Sequence, residues 1–410
     1  MEGHLAFTSF GGKRLHLGIS GSVAGYKALD LLRSWQDTGI HTGVTMTASA
    51  RKFFSPLLFE ALGAEPVFDA MFVDGSGTGH FDDTFPHLMP GASADAFVLV
   101  AASATTLARL AHGLAEDILS CQALAYPGPI VIAPAMNPRM WANPATQENW
   151  ETLRRRGHIL VEPANGRVAC MEKGSGRLAD SREIYLAVLR ALSPQDLAGK
   201  TVMVTLGPTR EYWDGIRFWT NPSTGTMGAA VAVAAHLRGA KVHAVCGPGS
   251  PWLPADIVRH DVVSARDMFA AASEVWPAAD VGVFSAAVAD FAPLPYGKEK
   301  FKKASTSGDV SIQLTPNPDI LRTLAANKKP NQKVIGFAAE TSNLEELALG
   351  KLAAKNADMI VGNTVNTMNS GFGQGANTGF VADNTGKQAH WEPMNKADMA
   401  WRILDWLLRM

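Results

Sequence analysis

Side chains capable of chemistry are concentrated in the first half of the chain. Asn137 lies in the segment PAMNPRMW, directly after an apolar run over residues 129–133 that predicts a buried parallel strand. The prolines that flank Asn137 disfavour a helix or a sheet ladder, because proline lacks an amide donor. We therefore expect the Asn137 side chain to project from the carboxyl end of a strand, where open α/β sheets place their ligands. Taken alone, the segment is equally compatible with a proline-rich turn in which the methionines and the tryptophan are packing residues.

Cys170 lies in a glycine-rich, charged loop, which is typical of a mobile flap rather than of a core. Arg167 and Lys173 flank it and would favour the thiolate if they lie close in space. Cys121 and Cys246 lie in apolar segments and are expected to be inert packing residues. Two histidines, His80 and His87, lie in the loop before the strand predicted over residues 97–102. For either one the alternative is a solvated loop histidine.

Ser20, Gly21 and Ser22 separate an apolar strand (residues 14–20) from a helix that ends near Gly39. A strand, a small-residue turn and a helix start together form an anion site, since exposed amides meet the positive end of the helix dipole. The turn is not GxGxxG, and its hydroxyls favour a mononucleotide phosphate, as in FMN, over a dinucleotide. The alternative is a tight turn without a ligand.

Two further strands end in hydroxylated residues. Thr47 ends the strand over residues 43–47, and Ser103 and Thr106 follow the strand over residues 97–102. The side chains of these residues are small, so a flavin or its ribityl chain can approach them.

The second half contains two weaker signals for phosphate binding. GTMG at residues 225–228 begins a helix, although close helix packing is the commoner reason for such glycines. A basic loop (residues 298–303) follows AAVAD at a strand end, and a triphosphate needs cations at its phosphates. Lys351 and Lys355 share one helix face and can reach a single ligand, or are two surface lysines. Without context, the basic loop would be a solvated charge run.

Composition limits the class of protein. The chain has 410 residues, of which 47 % are hydrophobic and 18 % charged, so it is globular and too long for one ordinary core. A net charge of −1 argues against a nucleic-acid or membrane-surface binder, and no apolar run approaches the ~20 residues that span a bilayer. With no signal pattern, no disulfide framework and no zinc motif, we expect a soluble cytoplasmic protein.

Strands alternate with helices in both halves, which predicts an α/β fold of two doubly wound (Rossmann or flavodoxin-like) domains. Each domain should be a mainly parallel sheet flanked by helices. A new strand–helix pattern begins after Ser193-Pro194-Gln195-Asp196, so we place the domains at residues 1–195 and 196–410. A β-hairpin near residues 380–392 is expected before the C-terminal helix.

Residues 14–180 resemble the flavin-dependent cysteine decarboxylases, the family that includes phosphopantothenoylcysteine decarboxylase. The resemblance rests on the Ser20 turn, a histidine loop, Ser103-Ala104, the Cys170 flap and PAMNPRMW, which fits the family's PxMNxxMW signature in full. Members bind FMN, often between subunits of a trimer. In them the substrate thiol is oxidised against the flavin, the thioaldehyde loses CO₂, and the flap cysteine helps to return hydride equivalents.

The resemblance implies roles for individual residues. The histidine is His87, by its spacing to the third strand, with His80 as the second choice. Asn137 would orient the substrate carboxylate, and Cys170 would act as proton and hydride-relay partner. The expected cofactor contacts are Ser20, Gly21, Ser22, Thr47, Ser103, Thr106 and Met136. The chain departs from the family at Ala101, usually proline, at Thr105, usually asparagine, and at Met171, usually glycine.

Residues 200–370 resemble phosphopantothenate–cysteine ligase through several motifs in the family's order. These motifs are GPTRE, the Asn221 segment, AAVADF, the lysine loop, NPDIL, GFAAET and the Lys351/Lys355 helix with Asn363. The family activates the 4′-phosphopantothenate carboxylate with CTP, and the cysteine amine then displaces CMP, so that one hard amide formation becomes two easier steps. Both activities are commonly fused in bacteria in this order, as in the bifunctional enzymes of coenzyme A biosynthesis.

By this resemblance Asn221 would hold the acyl cytidylate. The implied nucleotide contacts are Ala286, Asp290, Lys300, Pro318, Asp319, Ile320, Leu321, Phe337, Lys351 and Lys355. Mg²⁺ is implied by the triphosphate and not by a metal motif. The chain departs from the ligase family at Thr226, usually lysine, at Pro222, where histidine is common, and at Pro316, where a charged residue is usual. These changes put full ligase activity in question, and CTP is not distinguished from ATP.

The sequence therefore predicts a bifunctional FMN-dependent decarboxylase and CTP-dependent ligase that acts on small molecules. A homo-oligomer is implied, with trimeric contacts in the decarboxylase half and dimeric contacts in the ligase half. The alternatives are a flavin-binding regulatory or partner subunit of the same fold, a decarboxylase with an impaired ligase half, and, more distantly, a flavin prenyltransferase.

Overall fold

The computed structural model describes residues 2–71, 85–302, 309–364 and 376–410. The chain divides into two compact units, Thr8–Pro194 and Gln195–Met410, and the second unit also includes Glu2–Phe7. The units thus divide close to residue 195, but Glu2–Phe7 group with the second unit. They belong to the second unit because the His4 ring nitrogen Nε2 lies 2.8 Å from the Trp252 carbonyl oxygen and the Phe7 ring packs edge-on against Trp401.

The first unit contains a six-stranded sheet in which every pair of neighbouring strands is parallel, in the order β3-β2-β1-β4-β5-β6. Its strands are Arg14–Ile19 (β1), His41–Met46 (β2), Val67–Phe68 (β3), Ala96–Ala102 (β4), Ile130–Pro134 (β5) and Ile159–Leu160 (β6). An antiparallel hairpin, Ala164–Arg167 (β7) and Lys173–Arg177 (β8), follows the sheet. β4 is buried at all of its positions, as expected of a central parallel strand with helices on both faces.

Helices of the first unit connect these strands. They are Lys27–Gln36 (α1), Pro56–Ala61 (α2), Met89–Ser93 (α3), Ala104–His112 (α4), Ile118–Ala125 (α5), Pro138–Trp141 (α6), Pro144–Arg155 (α7) and Ser181–Leu192 (α8). Short 3₁₀ turns lie at Thr8–Phe10, Val23–Tyr26, Ala50–Lys52 and Pro86–Leu88. Side-chain caps set several helix starts: Ser103 accepts from the Thr106 amide at α4, and Asp180 accepts from the Arg182 amide at α8.

The second unit contains an eight-stranded sheet in the order β13-β12-β9-β14-β17-β18-β19-β20. Its strands are Thr201–Leu206 (β9), Lys241–Cys246 (β12), Val258–Asp261 (β13), Val281–Phe284 (β14), Lys333–Glu340 (β17), Met359–Thr364 (β18), Ala376–Asp383 (β19) and Gln388–Asn395 (β20). All neighbouring strands pair in parallel except β18 with β19 and β19 with β20, which pair antiparallel. The predicted hairpin before the C-terminal helix is confirmed as β19–β20.

Two small antiparallel pairs accompany this sheet: Glu211–Tyr212 (β10) with Phe218–Trp219 (β11), and Phe291–Pro293 (β15) with Leu314–Pro316 (β16). The helices are Thr226–Leu237 (α9), Ala265–Val275 (α10), Ile320–Ala326 (α11), Leu344–Ala354 (α12) and Lys396–Leu407 (α13), with a 3₁₀ turn at Trp276–Ala278.

The predicted fold class is confirmed: each unit is a mainly parallel sheet flanked by helices. The sequence did not predict the edge strands β3 and β13 or the small antiparallel pairs, because these strands are short or largely exposed and carry little hydrophobic periodicity. No helix within the described ranges is long and apolar enough to cross a membrane.

Candidate functional sites

The carboxyl ends of four strands meet at one edge of the first sheet. The Thr47 amide donates to the Ile19 carbonyl at 3.0 Å, and the Ala135 amide donates to the Ala102 carbonyl at 3.1 Å. The Ser22 hydroxyl donates across the edge to the Ala135 carbonyl at 3.1 Å. This edge therefore collects the predicted cofactor residues that follow β1, β2, β4 and β5.

The hydroxyls of the Ser20 turn are committed to the protein. Ser20 is buried; its Oγ donates to the Ala101 carbonyl at 3.1 Å and accepts from the Ser103 amide at 2.9 Å. We expected the Ser20 and Ser22 hydroxyls to donate to a phosphate. Each serine has a single O–H, and in the structure both donate to backbone carbonyls instead. The Ser22 amide donates to the Ser20 carbonyl at 2.8 Å and the Gly25 amide to the Ser22 carbonyl at 3.0 Å. The amides left for an anion are those of Val23 and Ala24, since the first amides of a helical turn have no acceptor within it.

Gly21 allows a close approach between two loops at this edge. A Cβ at Gly21 would lie 2.6 Å from the Ser49 Cβ, so a larger residue would separate the loops. Thr47 Oγ1 accepts from the Ala50 amide at 3.2 Å, which keeps the second loop in place. Ser103 and Thr106, at the start of α4, bond each other through their hydroxyls at 3.1 Å.

The edge also suits a flat aromatic cofactor. Val23 and Tyr26, in the turn that follows Gly21, are exposed apolar side chains, and so is Met140 on α6. Free amides together with apolar surface match what a flavin phosphate and its ring system require.

The structure brings Asn137 and Cys170 together. Asn137 Nδ2 donates to Cys170 Sγ at 3.1 Å, and Asn137 Oδ1 accepts from the Arg139 amide at 2.8 Å as the cap of α6. Hydrogen bonds therefore orient both polar atoms of the Asn137 side chain, Nδ2 and Oδ1. Cys170 is exposed, whereas Cys246 is buried, in line with the different roles predicted for them.

The Cys170 segment is the tip of the β7–β8 hairpin, not an irregular loop. Two further contacts hold the hairpin against the Asn137 segment: the Met136 amide donates to the Gly176 carbonyl at 2.9 Å, and Arg139 pairs with Glu172 at 2.6 Å. Met171, beside the cysteine, adopts a positive φ of 69°, a conformation that favours glycine.

His87 lies in the turn Pro86–Leu88 and is half-buried. Gln122, fully buried on α5, donates from Nε2 to the Pro86 carbonyl at 2.8 Å and so fixes this turn. Within the described residues, His87 makes no hydrogen bond to Asn137 or Cys170. His80, the second choice, lies outside the described residues.

The second unit contains a cavity of about 740 Å³ at the carboxyl ends of β14 and β17. Predicted residues that line it are Asn221, Ala286, Asp290, Pro318, Asp319, Ile320, Leu321, Phe337, Lys351 and Lys355. Lys300 is the one predicted nucleotide contact that is not part of this lining; it is exposed on its loop. Asn363, from the ligase motifs, also lines the cavity.

Protein groups hold the two predicted lysines at the end of α12, Lys351 in its last turn and Lys355 as its C-cap. Lys351 Nζ donates to the Phe337 carbonyl at 2.6 Å, and Lys355 forms an ion pair with Asp319. Burial lowers the pKa of Lys351, and Glu340 partly opposes this effect. Burial alone would raise the pKa of Asp319, but the hydrogen bond from Lys355 holds it below its usual range.

Two asparagines set the polar side of the cavity. Asn221 Nδ2 donates to the Val288 carbonyl at 3.1 Å, and Asn317 Nδ2 donates to the Ala289 carbonyl at 2.8 Å. Asn317 Oδ1 is buried without a hydrogen-bond partner in the part of the chain that is described. Asn317 is also among the lining residues of the cavity.

The basic loop is anchored outside the cavity. Asp214, which is buried, accepts from the Phe301 amide at 3.0 Å and from the Arg217 guanidinium at 2.6 Å. Burial alone would raise the pKa of Asp214, but these donors, together with the amides of Ile216 and Arg217, hold it far below its usual range. Lys303 lies outside the described residues.

Sequence reasoning missed several lining residues, among them Lys396 and Met399 on α13. The only signal was the position of Lys396 directly after a capping asparagine, a common pattern for any helix start. Among the described residues, no group of three or more histidine, cysteine or carboxylate side chains could hold a metal ion.

Comparison with known families identifies both halves. Residues 8–193 match the family model described as Flavoprotein, and residues 197–410 match the DNA/pantothenate metabolism flavoprotein C-terminal domain. The coenzyme A biosynthesis bifunctional protein CoaBC of Escherichia coli (strain K12) is 38 % identical over 390 residues, 95 % of this chain and 93 % of the relative. The chain belongs to this bifunctional family.

Another relative supports the same assignment. The CoaBC protein of Vibrio cholerae serotype O1 is 38 % identical over 369 residues, 90 % of this chain and 91 % of that protein. A crystal structure of the C-terminal domain of a CoaBC protein shares 37 % identity with 52 % of this chain, covers 96 % of its own length and has a TM-score of 0.43. The protein is accordingly a bifunctional enzyme of coenzyme A biosynthesis, with a flavoprotein decarboxylase half and a ligase half.

Proposed function

We propose that the second unit joins 4′-phosphopantothenate to L-cysteine with CTP and that the first unit decarboxylates the product to 4′-phosphopantetheine with FMN. Residues 1–195 and 196–410 are the two functional domains in this proposal. The order of the reactions follows from the chemistry, because the carboxylate that is lost enters with the cysteine.

The contact between Asn137 and Cys170 is the observation that carries the decarboxylase assignment. It supports a site in which the amide orients the substrate carboxylate beside a thiol that moves a proton. FMN would be held by the amides of Val23 and Ala24 and by the edge that includes Thr47, Ser103, Thr106 and Met136. When bound, FMN supplies the oxidation of the substrate thiol and its later reversal, so the net reaction is redox-neutral. His87 is the proposed third residue of this site besides Asn137 and Cys170, and Gln122 fixes the turn that contains it.

The cavity of the second unit supports the ligase assignment. It places amides, carboxylates and lysines at the carboxyl ends of parallel strands, where α/β sheets bind nucleotides. In this proposal Lys351 and Lys355 face the phosphates, Asn221 holds the acyl cytidylate, and Mg²⁺ enters with CTP. Lys300 contacts the nucleotide only if its exposed loop reaches the cavity mouth.

We further propose a cytoplasmic homo-oligomer. Both units expose large apolar side chains that subunit contacts would cover. In the first unit these include Leu57 and Leu58, and in the second unit Ile216, Phe218 and Trp219. Sedimentation of the purified chain tests this proposal, and a monomer at micromolar concentration would contradict it.

The decisive assay incubates purified protein with 4′-phosphopantothenate, cysteine and either CTP or ATP and identifies the products by mass. We expect 4′-phosphopantetheine, CO₂, pyrophosphate and CMP with CTP. Asn137→Ala should accumulate 4′-phosphopantothenoylcysteine, while Asn221→Ala should block its formation. Each variant is the control for the other, since it leaves the second activity in the same chain intact.

The same assay addresses the alternatives. A partner subunit without catalysis would bind flavin and form neither product. A decarboxylase with an impaired ligase would convert added 4′-phosphopantothenoylcysteine but would not make it from cysteine. Either result would refute the proposed pair of activities.

A further inference from the structure

Lys396 is the first residue of α13, and only 5 % of its surface is exposed. It lines the 740 Å³ cavity of the second unit together with Met399 from the same helix. A lysine with so little exposed surface is uncommon, because reducing the hydration of an ammonium group costs free energy unless a partner replaces the water.

No partner for the ammonium group exists within the described residues: Lys396 makes no side-chain hydrogen bond and no ion pair there. Burial accordingly lowers the pKa of Lys396, and none of the carboxylates in the described ranges raises it. The nearest acidic residue of its own helix turn, Asp398, is hydrogen-bonded to the capping residue Asn395.

The position of Lys396 on its helix adds to the free-energy cost of keeping its ammonium group charged. Lys396 lies at the amino end of α13, where the helix dipole is positive and a cation is unfavourable. Burial, the lack of a counter-charge among the described residues and the dipole therefore all act against the charged form of Lys396. A protein that keeps a cation under these conditions beside a cavity commonly uses it for a ligand.

The other cavity lysines differ in this respect. Lys351 donates to the Phe337 carbonyl, and Lys355 is paired with Asp319, so both are neutralised or hydrogen-bonded before any ligand arrives. Lys396 is the cavity lysine whose charge is left uncompensated among the described residues.

We propose that Lys396 binds a phosphate group of a ligand in this cavity. The inference rests on the proposed ligase function, which offers two sources of that chemistry: the triphosphate of CTP and the phosphate of 4′-phosphopantothenate. A phosphate supplies the negative charge and the acceptor oxygens that an ammonium group needs, and it cancels the effect of the helix dipole.

Equilibrium binding to Lys396→Met tests the proposal without turnover. Methionine keeps the length and apolar character of the side chain but removes the charge. Titration calorimetry would compare CTP with CMP, and 4′-phosphopantothenate with pantothenate, on the wild type and the variant. Lys241→Met is the matched control, since Lys241 is an exposed lysine of the same unit that does not line the cavity.

We expect Lys396→Met to weaken one phosphate-bearing ligand by about tenfold to a hundredfold and its phosphate-poor analogue far less. A selective loss for CTP over CMP assigns the triphosphate, and a selective loss for 4′-phosphopantothenate over pantothenate assigns the substrate phosphate. The urea midpoint of the unliganded variant should be unchanged or higher, because an unpaired buried charge is removed. If this variant does not fold, Lys396→Gln is measured in the same way.

Equal affinities of wild type and variant for all four ligands would overturn the role of Lys396 while leaving the ligase function in place. A wild-type protein that forms 4′-phosphopantothenoylcysteine and releases pyrophosphate separates this outcome from a failure of the proposed function. Loss of binding for all four ligands to the same degree would indicate a structural role and would also overturn the proposal.

Discussion

Replacing Gly176 by alanine should separate the Cys170 hairpin from the Asn137 segment. Gly176 lies on β8 with a φ of +132°, which favours glycine, and a Cβ there would lie 2.5 Å from the Met136 carbonyl oxygen. That oxygen belongs to backbone and cannot swing aside as a flexible side chain would. The Met136–Gly176 hydrogen bond of 2.9 Å would be lost as the strands move apart.

The magnitude follows from two contributions. Backbone strain at such a φ costs about 1–3 kcal/mol, and the lost hydrogen bond costs about 1 kcal/mol. The closed hairpin would therefore lose about 2–4 kcal/mol relative to a displaced one. At about 1.4 kcal/mol per factor of ten, the closed population and the decarboxylation rate should fall about thirtyfold to several-hundredfold.

The assay measures CO₂ release from 4′-phosphopantothenoylcysteine, with pyrophosphate release by the ligase half of the same chain as internal control. Gly113→Ala is the matched variant: Gly113 has a φ of +68° at the end of α4, but a Cβ there has no atom within 4 Å. It carries conformational strain without the collision and should keep normal decarboxylation. A Gly176→Ala rate within twofold of the wild type would refute the reasoning.

Three other changes test separate parts of the molecule. Burial lowers the pKa of His16 to about 3, so between pH 6.5 and 3 the unfolded chain binds a proton that the folded chain does not. The free energy of unfolding of the first unit should fall by about 1.4 kcal/mol per pH unit on acidification through that window, and His16→Leu should remove this contribution in urea titrations at several pH values. Asp214→Ala removes the acceptor of the Phe301 amide, frees the basic loop and should slow ligation by about tenfold to a hundredfold without affecting decarboxylation. Gly228→Ala places a Cβ 2.3 Å from Ser285 Oγ and should destabilise the second unit by about 1–3 kcal/mol, measured by its urea midpoint.

Each of these three predictions would be contradicted by a specific result. An unchanged pH slope in His16→Leu would mean that another group binds the proton. Normal ligation by Asp214→Ala would mean that the loop position is unimportant for catalysis. A wild-type urea midpoint for Gly228→Ala would mean that α9 moves freely on the sheet.

The alternation of strands and helices was predictable because it depends on local periodicity. β4 and β5 are continuous apolar runs, and a parallel sheet buries such strands on both faces. The strand-end position of Asn137 follows from the same pattern, since the residue after a parallel strand lies at the carboxyl edge. The β7–β8 hairpin was not predictable, because its strands are polar and rich in glycine.

The sequence itself determined which functional groups are present: a thiol, an amide beside prolines, and lysines in a fold that is typical of nucleotide binding. Tertiary structure alone decided which of these groups meet. Ser20 was expected to donate to a ligand, but its hydroxyl donates to the Ala101 carbonyl. Lys396 drew no prediction from the sequence, yet it is buried, lines the cavity and has no side-chain partner among the described residues. The physical reason is that hydrogen bonding and desolvation depend on distances between residues far apart along the chain, which local patterns do not encode.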